Sequence, residues 1–183
     1  MSFCLNIPEL LIKILKNLTT RDVIKLETVS KFWKTTIRKH TWMDRIAKVP
    51  ISIIKTHNFK RLNLSKMYIS DKFVEKLCKC HTLDLSWTKI SDASVVKLIE
   101  CHTLNLCGTN ISDKSISKLG KCHTLDLSYT SVSDVSVEKL SNCFKLNLRG
   151  TRVSDKSVSK LGKCHTLNLS GTRITDESVS KLG

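Results

Sequence analysis

Cys80, Cys101, Cys122, Cys143 and Cys164 stand 21 residues apart, and His81, His102, His123 and His165 directly follow four of them. Thiolate and imidazole are preferred zinc ligands and also the two halves of a nucleophile–base pair. The spacing suits neither chemistry. Adjacent residues in extended chain point to opposite sides, so a cysteine and the histidine after it cannot converge on one ion or one reacting atom. A ligand set drawn from the histidine column alone would be interrupted by Phe144. The expectation is no metal and no cofactor, with the cysteines packed as small hydrophobes beside a row of edge histidines. Cys107 is the one repeat cysteine whose register exposes it on a sheet face, and a lone thiol without a convergent base is incidental. With no phosphate loop and no nucleophile–base–orienter set, the chain reads as non-catalytic.

The cysteine column must be positioned by a repeating element, and the repeat is legible over residues 59–183. Six copies run 59–79, 80–100, 101–121, 122–142, 143–163 and 164–183, the first beginning at Phe59 in the cysteine's place. Counting from that residue, positions 4 and 6 are always Leu and flank Asp or Asn, the alternation of a short strand. Positions 11, 16 and 19 complete an apolar inward set. Ser or Thr at position 12 followed by Asp at 13 suits a helix N-terminus, and Lys at 18 suits a helix C-terminal turn. Each copy is predicted to be a strand, a bend and about two helical turns. So small a unit cannot bury its own apolar face, so copies must stack into a continuous core. The expected fold class is α/β, with a parallel sheet on the concave face and short helices on the convex one. The spelling C-x-x-L-x-L-x-x-T-x-I resembles the leucine-rich repeat, with Cys for the first Leu and Thr for the usual Asn.

Residues 1–46 do not follow this period. Leu10, Leu11, Ile14, Leu15 and Leu18 lie on one helical face, with Pro8 placed for a first turn. Thr19 to Asp22 supply capping chemistry ahead of Val23, Leu26 and Val29, and Ser30 can cap a third segment carrying Phe32, Trp33 and Ile37. Three short helices make a poor core, so part of this apolar surface is meant for a partner. The ordered set Ile7-Pro8-Glu9-Leu10-Leu11, Ile14-Leu15, Leu18, Asp22-Val23, Leu26, Val29-Ser30-Lys31-Phe32-Trp33 and Trp42 resembles an F-box. That resemblance implies a three-helix module docking on a Skp1-like adaptor and, through it, on a cullin–RING ubiquitin ligase. It assigns the interface to Ile7, Pro8, Leu10, Leu11, Ile14, Val23, Leu26 and Val29. The alternative is that these residues form only an internal cap for the repeats. Residues 47–58 read as a linker and degenerate half-copy that covers the first strand's open edge.

The chain has 183 residues, with 31 Lys+Arg against 16 Asp+Glu, a formal charge of +15. Residues 1–50 carry +6 of this and residues 51–183 carry +9. A surplus of that size favours acidic partners. A nucleic-acid stripe would gather basic and aromatic residues on one surface. Here Lys76, Lys97, Lys118, Lys139, Lys160 and Lys181 instead run along the helices beside the column Asp71, Asp92, Asp113, Asp134, Asp155 and Asp176, an arrangement read as dipole complementation and solubility. No membrane span is expected. The start of the chain also lacks the basic and small-residue signals of a secretory leader, so the expectation is a reducing, cytoplasmic setting with unpaired cysteines.

An F-box ahead of leucine-rich repeats resembles the substrate-recognition subunits of SCF-type ubiquitin ligases. The implied role is to hold a target near the conjugating enzyme. Target choice is expected on the concave face, at positions 3, 5, 7, 8 and 10. Trp87 and Tyr129 replace the Gly of position 8 there, and Lys145, Arg149, Arg152 and Arg173 gather in the last copies. Aromatic and arginine side chains are interface anchors, and grouped arginines favour an acidic or phosphorylated target. Two other readings stay open: a binder that sequesters Skp1 without delivering a target, and a basic nucleic-acid binder. The near-identical CHTLDLS-type copies are similar to F-box/leucine-rich-repeat proteins of large DNA viruses of amoebae, which implies action in a host's cytoplasm or nucleus. The last copy ends without a polar cap, so its edge is expected to be frayed, self-associating or covered.

Overall fold

The computed structural model describes residues 59–180 and the single position Asp22; residues 1–21, 23–58 and 181–183, and with them Ile7, Pro8, Leu10, Leu11, Ile14, Val23, Leu26, Val29, the linker and half-copy at 47–58 and Lys181, lie outside the described residues. The Leu-polar-Leu spelling produces a three-residue strand in every copy. The strands are β1 (Arg61–Asn63), β2 (Thr82–Asp84), β3 (Thr103–Asn105), β4 (Thr124–Asp126), β5 (Lys145–Asn147) and β6 (Thr166–Asn168). They pair in parallel and in sequence order. Register is one period throughout, as in Leu62↔Leu83, Leu83↔Leu104, Leu104↔Leu125, Leu125↔Leu146 and Leu146↔Leu167. Like positions therefore sit on like positions, and the alternation puts Leu inward and the polar neighbours outward.

Each strand runs into a bend and then a single helical turn. These turns are α1 (Asp71–Val74), α2 (Asp92–Val95), α3 (Asp113–Ile116), α4 (Asp134–Val137), α5 (Asp155–Val158) and α6 (Asp176–Val179). The α-helical part is one turn, and a described copy reaches the two helical turns expected from sequence only where a 3₁₀ turn extends it. In three copies a 3₁₀ turn follows, at Glu75–Leu77, Glu138–Leu140 and Ser159–Leu161. The reason lies in composition: Asp, Ser and Val are weak helix formers, and nothing in a D-x-S-V segment sustains a longer helix.

The core is one continuous stack. Both strand-region leucines of the first five copies, from Leu62 to Leu148, are 2% exposed or less, and Val74, Val95, Ile116, Val137 and Val158 close it from the helix side. Cys80, Cys101, Cys122 and Cys143 are buried within it. Burial, reinforced by the neighbouring thiols, pushes Cys80, Cys101 and Cys143 up to about 12; burial alone pushes Cys122 up to about 11. Packing, not chemistry, is what these thiols supply. In the sixth copy Cys164, Leu167, Leu169 and Ile174 are only partly covered, and β6 pairs on one side only among the described residues.

The Asp column does more than complement helix dipoles, which corrects the sequence reading. Asp92 accepts from the Ser112 N–H at 2.9 Å, the Ser112 hydroxyl at 2.6 Å and the Ser115 hydroxyl at 2.6 Å, all in the next copy. Asp113 and Asp134 repeat the pattern onto Ser133/Ser136 and Ser154/Ser157. Asp71 does the same with Ser91 and Ser94. Asp155 reaches Thr175. Each carboxylate is thus a strut between consecutive copies.

Candidate protein-interaction face

On the solvent side of the sheet, positions 3 and 5 alternate with the buried leucines. Position 5 is committed to local structure. The Asp84 Oδ1 accepts from the Ser86 N–H at 3.0 Å and its hydroxyl at 2.7 Å, and Asn63, Asp126 and Asn168 act alike on Ser65, Ser128 and Ser170. Asn105 and Asn147 hold the Cys107 and Arg149 N–H groups. These Asx-type turns end each strand. Asn147 additionally donates to Asp126 at 2.9 Å, tying neighbouring copies. The position-5 and most position-7 side chains are therefore occupied, and the face is left to positions 3, 8 and 10 with Arg149.

Position 8 is where the backbone becomes unusual. Its N–H continues the ladder onto the next copy, as in Trp87 N–H to Cys107 carbonyl at 2.8 Å and Tyr129 N–H to Arg149 carbonyl at 2.8 Å. That geometry puts the residue in the left-handed region: φ is +64° to +66° at Gly108, Gly150 and Gly171, but also +57° at Trp87, +56° at Tyr129 and +61° at Lys66. A non-glycine residue there costs roughly 1–2 kcal/mol. Two large aromatics bear this cost while remaining 54% (Trp87) and 48% (Tyr129) exposed.

The two rings lie over the glycines of the following copies. A Cβ on Gly108 would fall 2.5 Å from the Trp87 ring, and one on Gly150 would fall 2.8 Å from the Tyr129 ring. Trp87 and Tyr129 approach with centroids 6.2 Å apart, and the Arg149 guanidinium sits 5.6 Å from the Tyr129 ring centre. Gly108 and Gly150, in the copies that follow Trp87 and Tyr129, make room for this array. A parallel pairing places Lys89 5.5 Å from the ring centre of Tyr68, which is 82% exposed.

The other basic residues named from sequence fall at different levels. Lys145 stands exposed on β5 between Thr124 and Thr166. Arg152 and Arg173 sit one copy apart beyond the bend, bridged through the backbone to Ser133 and Ser154. The structure thus joins Arg149 to the Tyr129 ring and leaves Lys145, Arg152 and Arg173 exposed at other positions of the last two copies. None of the four pairs with a carboxylate among the described residues. On the helix side Lys97, Lys118, Lys139 and Lys160 are exposed, and Lys160 faces Glu138 at 3.7 Å.

The histidine column also differs from the sequence picture. His81, His102, His123, Phe144 and His165 form one unbroken stack with ring centres 4.4–4.7 Å apart. Phe144 interrupts a ligand set but continues the stack, because planarity rather than nitrogen is what the register selects. Among the described residues no cluster of His, Cys, Asp or Glu could hold a metal ion, and no helix is long and apolar enough to cross a membrane. Sequence reasoning missed the Asp struts and the left-handed platform. The recurrent Gly of position 8 was the signal for the second.

Comparison with known proteins follows this geometry. The F-box domain family matches residues 4–43, and the Leucine Rich repeat family matches residues 81–98 and 165–183. Among solved structures, an internalin C2 of Listeria monocytogenes is 20% identical with a TM-score of 0.56, over 77% of this chain and 65% of that one. A second Listeria monocytogenes internalin, inlF, is 17% identical with a TM-score of 0.53, over 78% of this chain and 51% of that one. A plant ice-binding protein is 22% identical with a TM-score of 0.51, over 69% of this chain and 46% of that one. This chain spans about half to two thirds of the internalins' length. At these identities the likeness is one of fold, the leucine-rich-repeat solenoid. No curated protein matches the chain.

Proposed function

We propose that this chain is the substrate-recognition subunit of an SCF-type ubiquitin ligase. Its F-box would dock on a Skp1-like adaptor through Ile7, Pro8, Leu10, Leu11, Ile14, Val23, Leu26 and Val29, and so reach a cullin–RING ligase. The sheet face would take a target protein, with Trp87, Tyr129, Lys145, Arg149, Arg152 and Arg173 as the contacts. The chain contributes no bond-making of its own; it supplies effective concentration. The observation that carries the reading is the pairing of two interaction modules in one chain: an F-box match at residues 4–43 ahead of a solenoid that keeps Trp87, Tyr129, Lys145, Arg149, Arg152 and Arg173 exposed. The work would take place in the cytoplasm, or in a host's cytoplasm or nucleus on the viral resemblance.

The test is affinity purification of the full chain beside a Pro8→Ala/Leu11→Ala variant, followed by a reconstituted ubiquitination assay. The expected result is a Skp1-like protein and a cullin with the unaltered chain, both lost in the variant. Adaptor capture without ubiquitin transfer to any bound protein would favour sequestration instead, and no Skp1-like protein at all would overturn the proposal.

A further inference from the structure

The Trp87–Tyr129–Arg149 array is built at a cost that folding does not require. Gly108, Gly150 and Gly171 hold the same left-handed backbone at the same position without strain, so glycine would satisfy the solenoid at 87 and 129. Instead, two aromatics occupy these places and keep about half their surface in water. The array has direction: indole, then phenol ring, then a guanidinium over that ring at 5.6 Å from its centre. A stacked guanidinium is held in place while its N–H edge stays free to bind an anion. Along the same face, positions 3, 8 and 10 carry Arg61, Lys66, Lys89, Lys145, Arg152 and Arg173, while the carboxylates of Asp84 and Asp126 at position 5 are engaged by Ser86, Ser128 and Asn147.

We infer that this array recognises an extended peptide segment that sets an apolar side chain against Trp87 and Tyr129 and an anionic side chain against Arg149. The inference rests on the target-binding reading above and gives it a ligand chemistry. The Trp87 and Tyr129 ring centres are 6.2 Å apart and the Arg149 guanidinium is 5.6 Å from the Tyr129 centre, so indole and guanidinium are at most about 12 Å apart. An extended chain advances roughly 3.3 Å per residue, so the apolar and anionic side chains lie about two to four residues apart. The anion can be a carboxylate or a phosphate, since a guanidinium edge binds both.

The experiment uses the full chain and two peptide pools. One is a display library of random dodecapeptides in ordinary residues; the other is a dodecapeptide library with a fixed central phosphoserine. The expected result is enrichment of an aromatic or aliphatic residue two to four positions from Asp or Glu in the first pool, or from the phosphoserine in the second. Whichever pool enriches identifies the anion's source. Binding of the selected peptide should fall about tenfold in Trp87→Gly and Tyr129→Gly. Arg149→Ser should remove the preference for an anion and leave the apolar one. Each variant installs the residue found at the same position in a sister copy, and a thermal melt checks the fold; Lys118→Ser, on the helix side, should change nothing. Enrichment without this pairing, no enrichment in either pool, or binding within twofold of the original in all three array variants would overturn the inference. Peptide binding needs neither adaptor nor ligase, so it stands or falls separately from the Skp1 purification.

Discussion

Asp92 holds Ser112 of the next copy with both carboxylate oxygens, Oδ1 on the backbone N–H at 2.9 Å and Oδ2 on the hydroxyl at 2.6 Å. The same carboxylate also accepts from the Ser115 hydroxyl. One short side chain therefore fixes the start of the following helical turn, and the relation recurs along the stack.

Removing an internal strut should weaken the whole solenoid, because neighbouring copies are coupled through it. Asp113→Ala strands the Ser133 and Ser136 donors and should cost about 2–4 kcal/mol in urea unfolding. Asp155→Ala, whose bonds to Thr175 are exposed, should cost under about 1 kcal/mol.

The struts also predict acid sensitivity. Burial works to raise the Asp71, Asp92, Asp113 and Asp134 carboxyls, but the serine hydrogen bonds outweigh it and hold all four below the usual carboxylate range. The unfolded chain then binds protons first as pH falls. The stabilisation is complete above the unfolded value near ~4 and is lost as pH drops through the lower folded values. Urea midpoints should fall between about pH 5 and pH 2, and an Asp92→Asn/Asp113→Asn chain should show a flatter profile.

Glycine substitutions test the aromatic platform. Gly108→Ala and Gly171→Ala share a positive φ and should each lose about 1 kcal/mol. Gly108→Ala should lose more, since its Cβ meets the Trp87 ring at 2.5 Å while that of Gly171 meets only backbone at 3.8 Å. In a Trp87→Gly background the excess should vanish, which a double-mutant cycle in thermal unfolding would read.

The column cysteines should be inert in the folded chain. With Cys101 pushed to about 12 by burial, its thiolate at neutral pH falls on the order of a thousandfold below that of an ordinary thiol. Iodoacetamide labelling followed by mass spectrometry should leave Cys80, Cys101, Cys122 and Cys143 unmodified until urea unfolds the solenoid.

Cutting the ring stack should be felt locally. Phe144→Ala leaves the His123 and His165 faces unpaired and should cost about 1 kcal/mol, while Phe144→His should restore most of it.

The solenoid was readable because its causes are local and repeated. Leucine at positions 4 and 6, small residues at the bend and the 21-residue spacing say which side chains must be buried, and burial of one copy requires the next. The helix length was overestimated because a pattern of apolar positions marks a helix without marking where weak formers such as Ser and Val let it stop. The exposed aromatic and basic face was readable only in part. Trp87, Tyr129 and Arg149 stood out as departures from monotony, but their grouping did not, since they lie 20 and 42 residues apart along the chain.

By itself, the sequence determined the period, the apolar column, the α/β stack and the likeness of residues 7–42 to an F-box. The tertiary structure decided the contacts that cross from one copy to the next: Asp92 onto Ser112, Trp87 over Gly108, Phe144 between two histidines. The physical reason is register. Which residues meet across a copy boundary depends on how far the chain advances and how the backbone turns within one period, and a left-handed residue at position 8 sets that turn. Residue types record what each position can do; only the stacked backbone brings Asp92 within 2.6 Å of the Ser112 hydroxyl.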